Sequence, residues 1–206
     1  MAVSTGYEKG AFRKSSSLVR ARAAIGVPGD AAKSVRSPIG AIEMRVFNTL
    51  LNRVIARPRD RDLHEIDWGD LVASVGMTGN PDRVLQAVDV LSSATIAVDI
   101  TDGDLEHTLR CHYLSIELTR RDSSRGTLIY GIDPVLARHI HDPKVYSLIQ
   151  LPVANSLSTP TSIQLYEILK GILYLRDPVW APTLDEFRRD VDIPQTASRF
   201  SNLRQR

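Results

Sequence analysis

A single cysteine, Cys111, in 206 residues excludes an internal disulfide framework. No apolar run approaches the roughly 18 residues that a membrane span requires. The first residues lack the apolar segment of a signal peptide, so the expected location is the cytoplasm. The histidines, His64, His107, His112, His139 and His141, form no metal-ligand spacing with the lone thiol. Those in "HIHD" read as surface or helix-end residues, and no metal or cofactor is expected. A glycine-rich phosphate loop followed by Lys and Ser or Thr is missing, and so is a Gly-x-Ser-x-Gly elbow. Without nucleophile, phosphate cradle or ligand set, the chain is not expected to be an enzyme.

What is present is ordinary globular material: 43% hydrophobic and 24% charged residues. The length allows one large domain or two small ones with real cores, and two fit better. Net charge is only +2, yet it is unevenly spread. Positions 1–36 carry Lys9, Arg13, Lys14, Arg20, Arg22, Lys33 and Arg36 against Glu8 and Asp30, about +5. They lack sustained periodicity and read as a basic flexible arm, with a helical stretch around "SSLVRARAAIG".

From Ser37-Pro38 the pattern becomes helical, with Ile42, Val46, Phe47, Leu50, Leu51 and Val54 on one face. Asn80-Pro81, Asp133-Pro134 and Thr159-Pro160 repeat that grammar, a capping side chain followed by a fixed-φ proline. Between Ser37-Pro38 and Asn80-Pro81, "DWGDLVASVG" predicts a short helix capped by Asp67, with Asp70 in its first turn and Gly76 as terminator. After a third helix at about 81–93 the period changes to two. "TIAVDI", a turn at Asp102-Gly103, and alternating Leu109, Cys111 and Tyr113 predict a hairpin. The phase slips between Tyr113 and Leu114, which suggests a bulge or a strand buried on both faces. A polar turn, "RRDSSRG", leads to a further strand, "TLIYGI". Three helices followed by a hairpin is the winged-helix order.

The pattern restarts beyond residues 153–158. At an offset of 116, "DWGDLVASVGM" lies over "TLDEFRRDVDI" without a gap: Asp67 meets Thr183, Asp70 meets Glu186, Leu71 meets Phe187 and Val75 meets Val191. The register runs on, Asn80 over Thr196 and Val84 over Phe200. The expected fold class is therefore α+β, a tandem winged helix whose second module stops within its third helix. The expected organisation is 1–36 arm, 37–155 first winged-helix domain and 156–206 start of a second. Asp67, Asp70, Asp185 and Glu186 sit in first helical turns, where acids cap free N–H groups and favour the helix dipole, rather than forming catalytic pairs.

The third helix of such a module lies in the major groove, so its outward face can be judged. At about 100° per residue, placing Phe200 inward buries Leu203 and Thr196 and points Ser198, Asn202 and Gln205 outward, with Arg199, Ser201 and Arg206 on the flanks. Asn and Gln can pair with adenine, Arg with guanine or phosphate, and Ser with either. Arg188 and Arg189 on the preceding helix are candidate phosphate contacts. In the first module the same wheel turns Asp82, Gln86 and Asp89 outward, with Leu85 and Val90 on the flanks. Acids facing phosphates make a poor DNA reader, and the mixture suits dimerisation or a partner surface, or else a solvated face.

With these phrases in view, the chain resembles the iteron-plasmid replication initiators of the RepA/RepE/RepB type. "LPVANSLSTPTSIQLYEILKGILYLR", "TLDEFRRDVDIP" and "RFSNLRQR" carry the likeness, with "IEMRVFNTLLNRVI", "IDWGDLVASVGM" and "LIYGIDPVLARHI" for the first domain. It spans roughly residues 38–206 and is strongest at Leu165, Tyr166 and Glu167, which match the family's habitual Leu-Tyr-Glu. The resemblance implies an initiator that binds directly repeated origin sites as a monomer and represses its own gene as a dimer. Its first domain would dimerise and touch the DNA backbone, its second would give the main base readout, and host initiator and helicase proteins would be partners. Alternatives are a winged-helix transcription regulator and a dimerisation or scaffold module without DNA readout. Two departures are the basic arm, which has no place in the pattern, and the ending of the second module within its third helix.

Overall fold

The computed structural model describes residues 10–20, 22–24, 39–56, 62–102, 105–120, 126–141 and 146–191. The central helix, α2 (Ala41–Ile55), follows β1 (Ala11–Ser15), the single turn α1 (Ser16–Val19) and β2 (Arg22–Ala24). Val46, Phe47, Leu50, Leu51 and Val54 of α2 are all buried, as the 3.6-residue period requires. The helix starts later than the Ser37-Pro38 signal predicts, with Gly40 as cap. In its first turn Glu43 is buried, and a Cβ on residue 40 would lie 2.7 Å from its Oε2. Glu43 also receives Arg83 at 2.6 Å. Ser37 and Pro38 lie outside the described residues.

The next elements obey their local signals. In α3 (Trp68–Ser74) the Asp67 carboxylate accepts the Asp70 N–H at 3.1 Å, and Gly76 closes the turn with φ of +73°. In α4 (Pro81–Ser93) Asn80 Oδ1 accepts from the Arg83 N–H at 3.2 Å. Val84, Ala87, Val88 and Leu91 point inward, onto α2 and the sheets. Ahead of α3 lies β3 (His64–Asp67), whose alternation, His64 and Ile66 in and Glu65 and Asp67 out, is too short to register in the sequence.

The hairpin is β4 (Thr95–Asp102) against β5 (Leu105–His112), with Ile96 opposite Cys111 and Val98 opposite Leu109. Neither a bulge nor a doubly buried strand explains the phase slip. At Tyr113 the chain turns a corner from the sheet β2-β4-β5 into a second sheet, β3-β7-β6, made by β6 (Leu114–Arg120) and β7 (Gly126–Ile132). Tyr113, at the corner, and Leu114, the first residue of β6, are both buried. The Tyr113 ring meets Phe47 edge-on, centroids 5.0 Å apart. Tyr130, fully buried, keeps its hydroxyl satisfied by donating to the Leu50 carbonyl at 3.1 Å. After α5 (Pro134–His141), β8 (Tyr146–Gln150) runs into α6 (Leu151–Ser156).

The amino-terminal stretch departs most from its expected form. The part of the predicted flexible arm that is described, residues 10–20 and 22–24, is built into the fold. β1 pairs with β8 along its whole length, Ala11 opposite Gln150 to Ser15 opposite Tyr146, and β2 pairs with β4. Phe12 is buried in the main core with Leu18. The remainder of 1–36 lies outside the described residues.

Two helices follow. α7 (Pro160–Ile172) begins in a capping box of Thr159 and Ser162, and α8 (Leu184–Asp190) in one of Thr183 and Glu186. α7 ends at Ile172, and the chain turns there.

Candidate nucleic-acid interface

The Thr183 hydroxyl accepts the Glu186 N–H at 3.3 Å, and Glu186 Oε2 accepts the Thr183 N–H at 2.7 Å. These bonds from the Thr183 backbone and side chain, with Arg189 nearby, hold the Glu186 carboxyl below the usual carboxylate range. Its contribution to α8 is therefore present above the carboxyl's ordinary range and fades as pH falls through the lowered one. On the inner side, Phe187 lies 5.8 Å from the Trp180 ring, and both pack against Val19, Ile168 and Val191. Of the two candidate phosphate contacts, Arg189 is exposed, whereas the Arg188 side chain is mostly covered and lies 3.5 Å from Asp185. Ser198, Arg199, Ser201, Asn202, Gln205 and Arg206 lie outside the described residues.

In the first module the wheel and the coordinates place side chains alike. Asp82, Gln86 and Asp89 are exposed along one face of α4, and Leu85 and Val90 are half-buried beside them, Leu85 resting on the main core. Arg83, the sole basic residue in the 81–93 sequence, is turned away to Glu43. A helix in the reading position with acids outward and its one cation engaged repels phosphate.

The ties of α6 and α7 to the elements before them were not visible in the sequence. Lys14 Nζ lies 2.7 Å from Glu167 Oε2 and 3.0 Å from Asn48 Oδ1, and Asn48 Nδ2 donates to Glu167 Oε1 at 2.8 Å. All three side chains are buried, so β1, α2 and α7 meet in one closed polar knot inside apolar surroundings. Beside it the Gln150 N–H donates to the Tyr166 hydroxyl at 3.1 Å. Leu165 packs on the small core with Val191. The Leu-Tyr-Glu phrase is thus the mortise of α7, one residue facing each neighbour. Arg45 adds a clamp, donating Nε at 3.2 Å and Nη2 at 2.5 Å to the Leu157 carbonyl ahead of α7. Asn155 Nδ2 donates to the Ser74 carbonyl at 2.8 Å.

Comparison with known families now bears on this arrangement. Residues 30–170, more than half the chain, match the family described as "Initiator Replication protein, WH1". The chain belongs to this replication-initiator family. The initiator also shares its fold with a solved structure, that of selenomethionine derivatives of domains 2 and 3 of RctB. The TM-score is 0.55 at 11% identity, over 92% of this chain and 75% of that one. No curated protein sequence matches it. The fold is accordingly an α+β winged helix. Among the described residues, no helix of the initiator is long and apolar enough to cross a membrane.

Cys111 sits in β5 of the initiator, facing inward. Burial, and to a smaller extent the Asp133 carboxylate, push its thiol up to about 11. Alkylation needs the thiolate, so native protein at neutral pH is expected to react about 100-fold more slowly than urea-unfolded protein. Mass spectrometry of a timed iodoacetamide reaction checks this, and equal rates in the two states would contradict the buried placement.

Proposed function

We propose that the chain starts plasmid replication by binding directly repeated origin sites in double-stranded DNA, with the second module as reader and the first as dimerisation or partner surface. The observation that carries this reading is the match of residues 30–170 to the initiator family. The contrast in outward chemistry supports it: acids on α4, and an exposed Arg189 on α8 ahead of a sequence rich in Arg, Asn and Gln. Autorepression by a dimer and recruitment of host initiator and helicase proteins belong to the same proposal. So does activity by binding in the cytoplasm, without catalysis or a cofactor.

Footprinting of the protein on its own plasmid tests the proposal. Protection of tandem repeats is the expected result. A single protected inverted repeat would instead make the protein a transcription regulator, and absence of any protection would leave a scaffold module. At the residue level, Asn202→Ala and Arg199→Ala are each expected to weaken specific binding by about 1–3 kcal/mol. Binding measured across salt concentrations should fall steeply, because each arginine on a phosphate releases counterions. Mutant affinities equal to the parent's would remove the 196–206 segment as reader.

A further inference from the structure

Leu18 and Val19 are neighbours in the chain but belong to different cores. Leu18 is buried in the main core, with Phe47 and Phe12 among its members. Val19 is buried in the small core with Ile168 and Val191, under Trp180 and Phe187. A helix of one turn therefore sends two consecutive side chains into opposite bodies of the protein. Its position is fixed from several sides. β1 before it is paired along β8, and β2 after it is paired on β4. Lys14 reaches the buried carboxylate of Glu167. Gln164 of α7 donates its Nε2 to the Val19 carbonyl at 2.9 Å. A cavity of about 90 Å³ lies alongside, lined in part by Leu18, Val19, Gln164, Arg189 and Val191.

We propose that α1 is a pin joining the two modules: Leu18 seats it in the first, and Val19 fixes the directions of α7 and α8, the latter carrying the candidate phosphate contact Arg189. This rests on the reading of the second module as the DNA contact. The pin lies before residue 30, where the family match begins. Val19 is then a positioning residue: it touches no DNA, and it acts by holding the helices that do.

Spin labels on the full chain, at Ala73→Cys in α3 and Asp185→Cys in α8, test this by a distance measurement. Both positions are exposed, and the buried Cys111 thiol does not compete for label. The parent is expected to give one narrow distance peak. Val19→Asp should lose that peak while the amides of β6 and β7 keep their protection from hydrogen exchange, and Val19→Ile, which grows toward the cavity, should retain it. Leu18→Ala should instead lower protection in β6 and β7, because its side chain sits in the main core. Survival of the narrow peak in Val19→Asp would overturn the proposal, as would loss of β6–β7 protection in that variant. Origin DNA affinity of Val19→Asp is expected to fall about tenfold. A broadened distance with unchanged affinity would overturn the link to DNA. If the parent bound no origin DNA, the underlying reading would fail, and the distance arm would still decide the pin.

Discussion

Glu167→Leu alone is expected to lower the unfolding free energy by about 3–5 kcal/mol, because it strands the Lys14 ammonium in the interior. Lys14 and Glu167 are 5% and 1% exposed, so water cannot replace the lost partner without opening the contact between β1 and α7. Removing both charges tells a different story. Lys14→Met with Glu167→Leu leaves no buried ion, and apolar replacement of a buried pair is often neutral or better. The double variant should then lose less than the single, held back by Asn48, whose amide has given up both partners at about 1–3 kcal/mol. Adding Asn48→Leu should recover part of that. Urea midpoints of the single, double and triple variants decide the matter. A Glu167→Leu loss below about 1 kcal/mol would mean that the pair is hydrated as surface pairs are.

That knot also marks where sequence reading reaches its limit. The helix starts at Pro81 and Pro160 were legible because cap, proline and first turn lie within four residues, and a side chain there answers to its own backbone. The third helix came out with both ends as read, 81 to 93, and its inward face was given by period alone. Glu167 could not be found this way. A glutamate on an amphipathic helix is by default a surface residue, and what buries it, Lys14, stands 153 positions earlier. β1 was hidden for a related reason. "AFRKS" offers one large apolar residue, and its inward positions include a lysine, so no period-two signal survives. The slip at Tyr113 was a true signal with the wrong cause attached: parity changes at a strand that leaves one sheet for another just as at a bulge, and only the partners, β4 on one side and β7 on the other, tell them apart. For the candidate interface, outward chemistry on α4 could be read because a wheel needs no partner, whereas the Arg45 clamp and the division of Leu18 and Val19 between cores depend on tertiary packing.

Phe12→Ala is expected to cost about 3–5 kcal/mol, the loss typical of an aromatic ring taken from a close-packed core. Phe12 is 1% exposed and stands opposite Ile149 in the β1–β8 ladder, so its ring is the main apolar anchor of the amino-terminal strand. Arg13→Ala is the control on the same strand. Its guanidinium lies 4.6 Å from the Tyr146 ring centroid at the surface, a cation–π contact of about 0.5–1 kcal/mol. If residues 1–36 were an arm, both substitutions would be silent, and the basic charge would matter through solubility alone. With β1 integrated, Phe12→Ala should shift the denaturation midpoint strongly and Arg13→Ala slightly, and hydrogen exchange should speed up first in β8, which has β1 as its partner among the described strands. A neutral Phe12→Ala would do more than correct one strand. Lys14 could then not be held against Glu167, α1 would lose the ladder that seats it, and the coupling of the two modules would have to come from Arg45 and α7 alone.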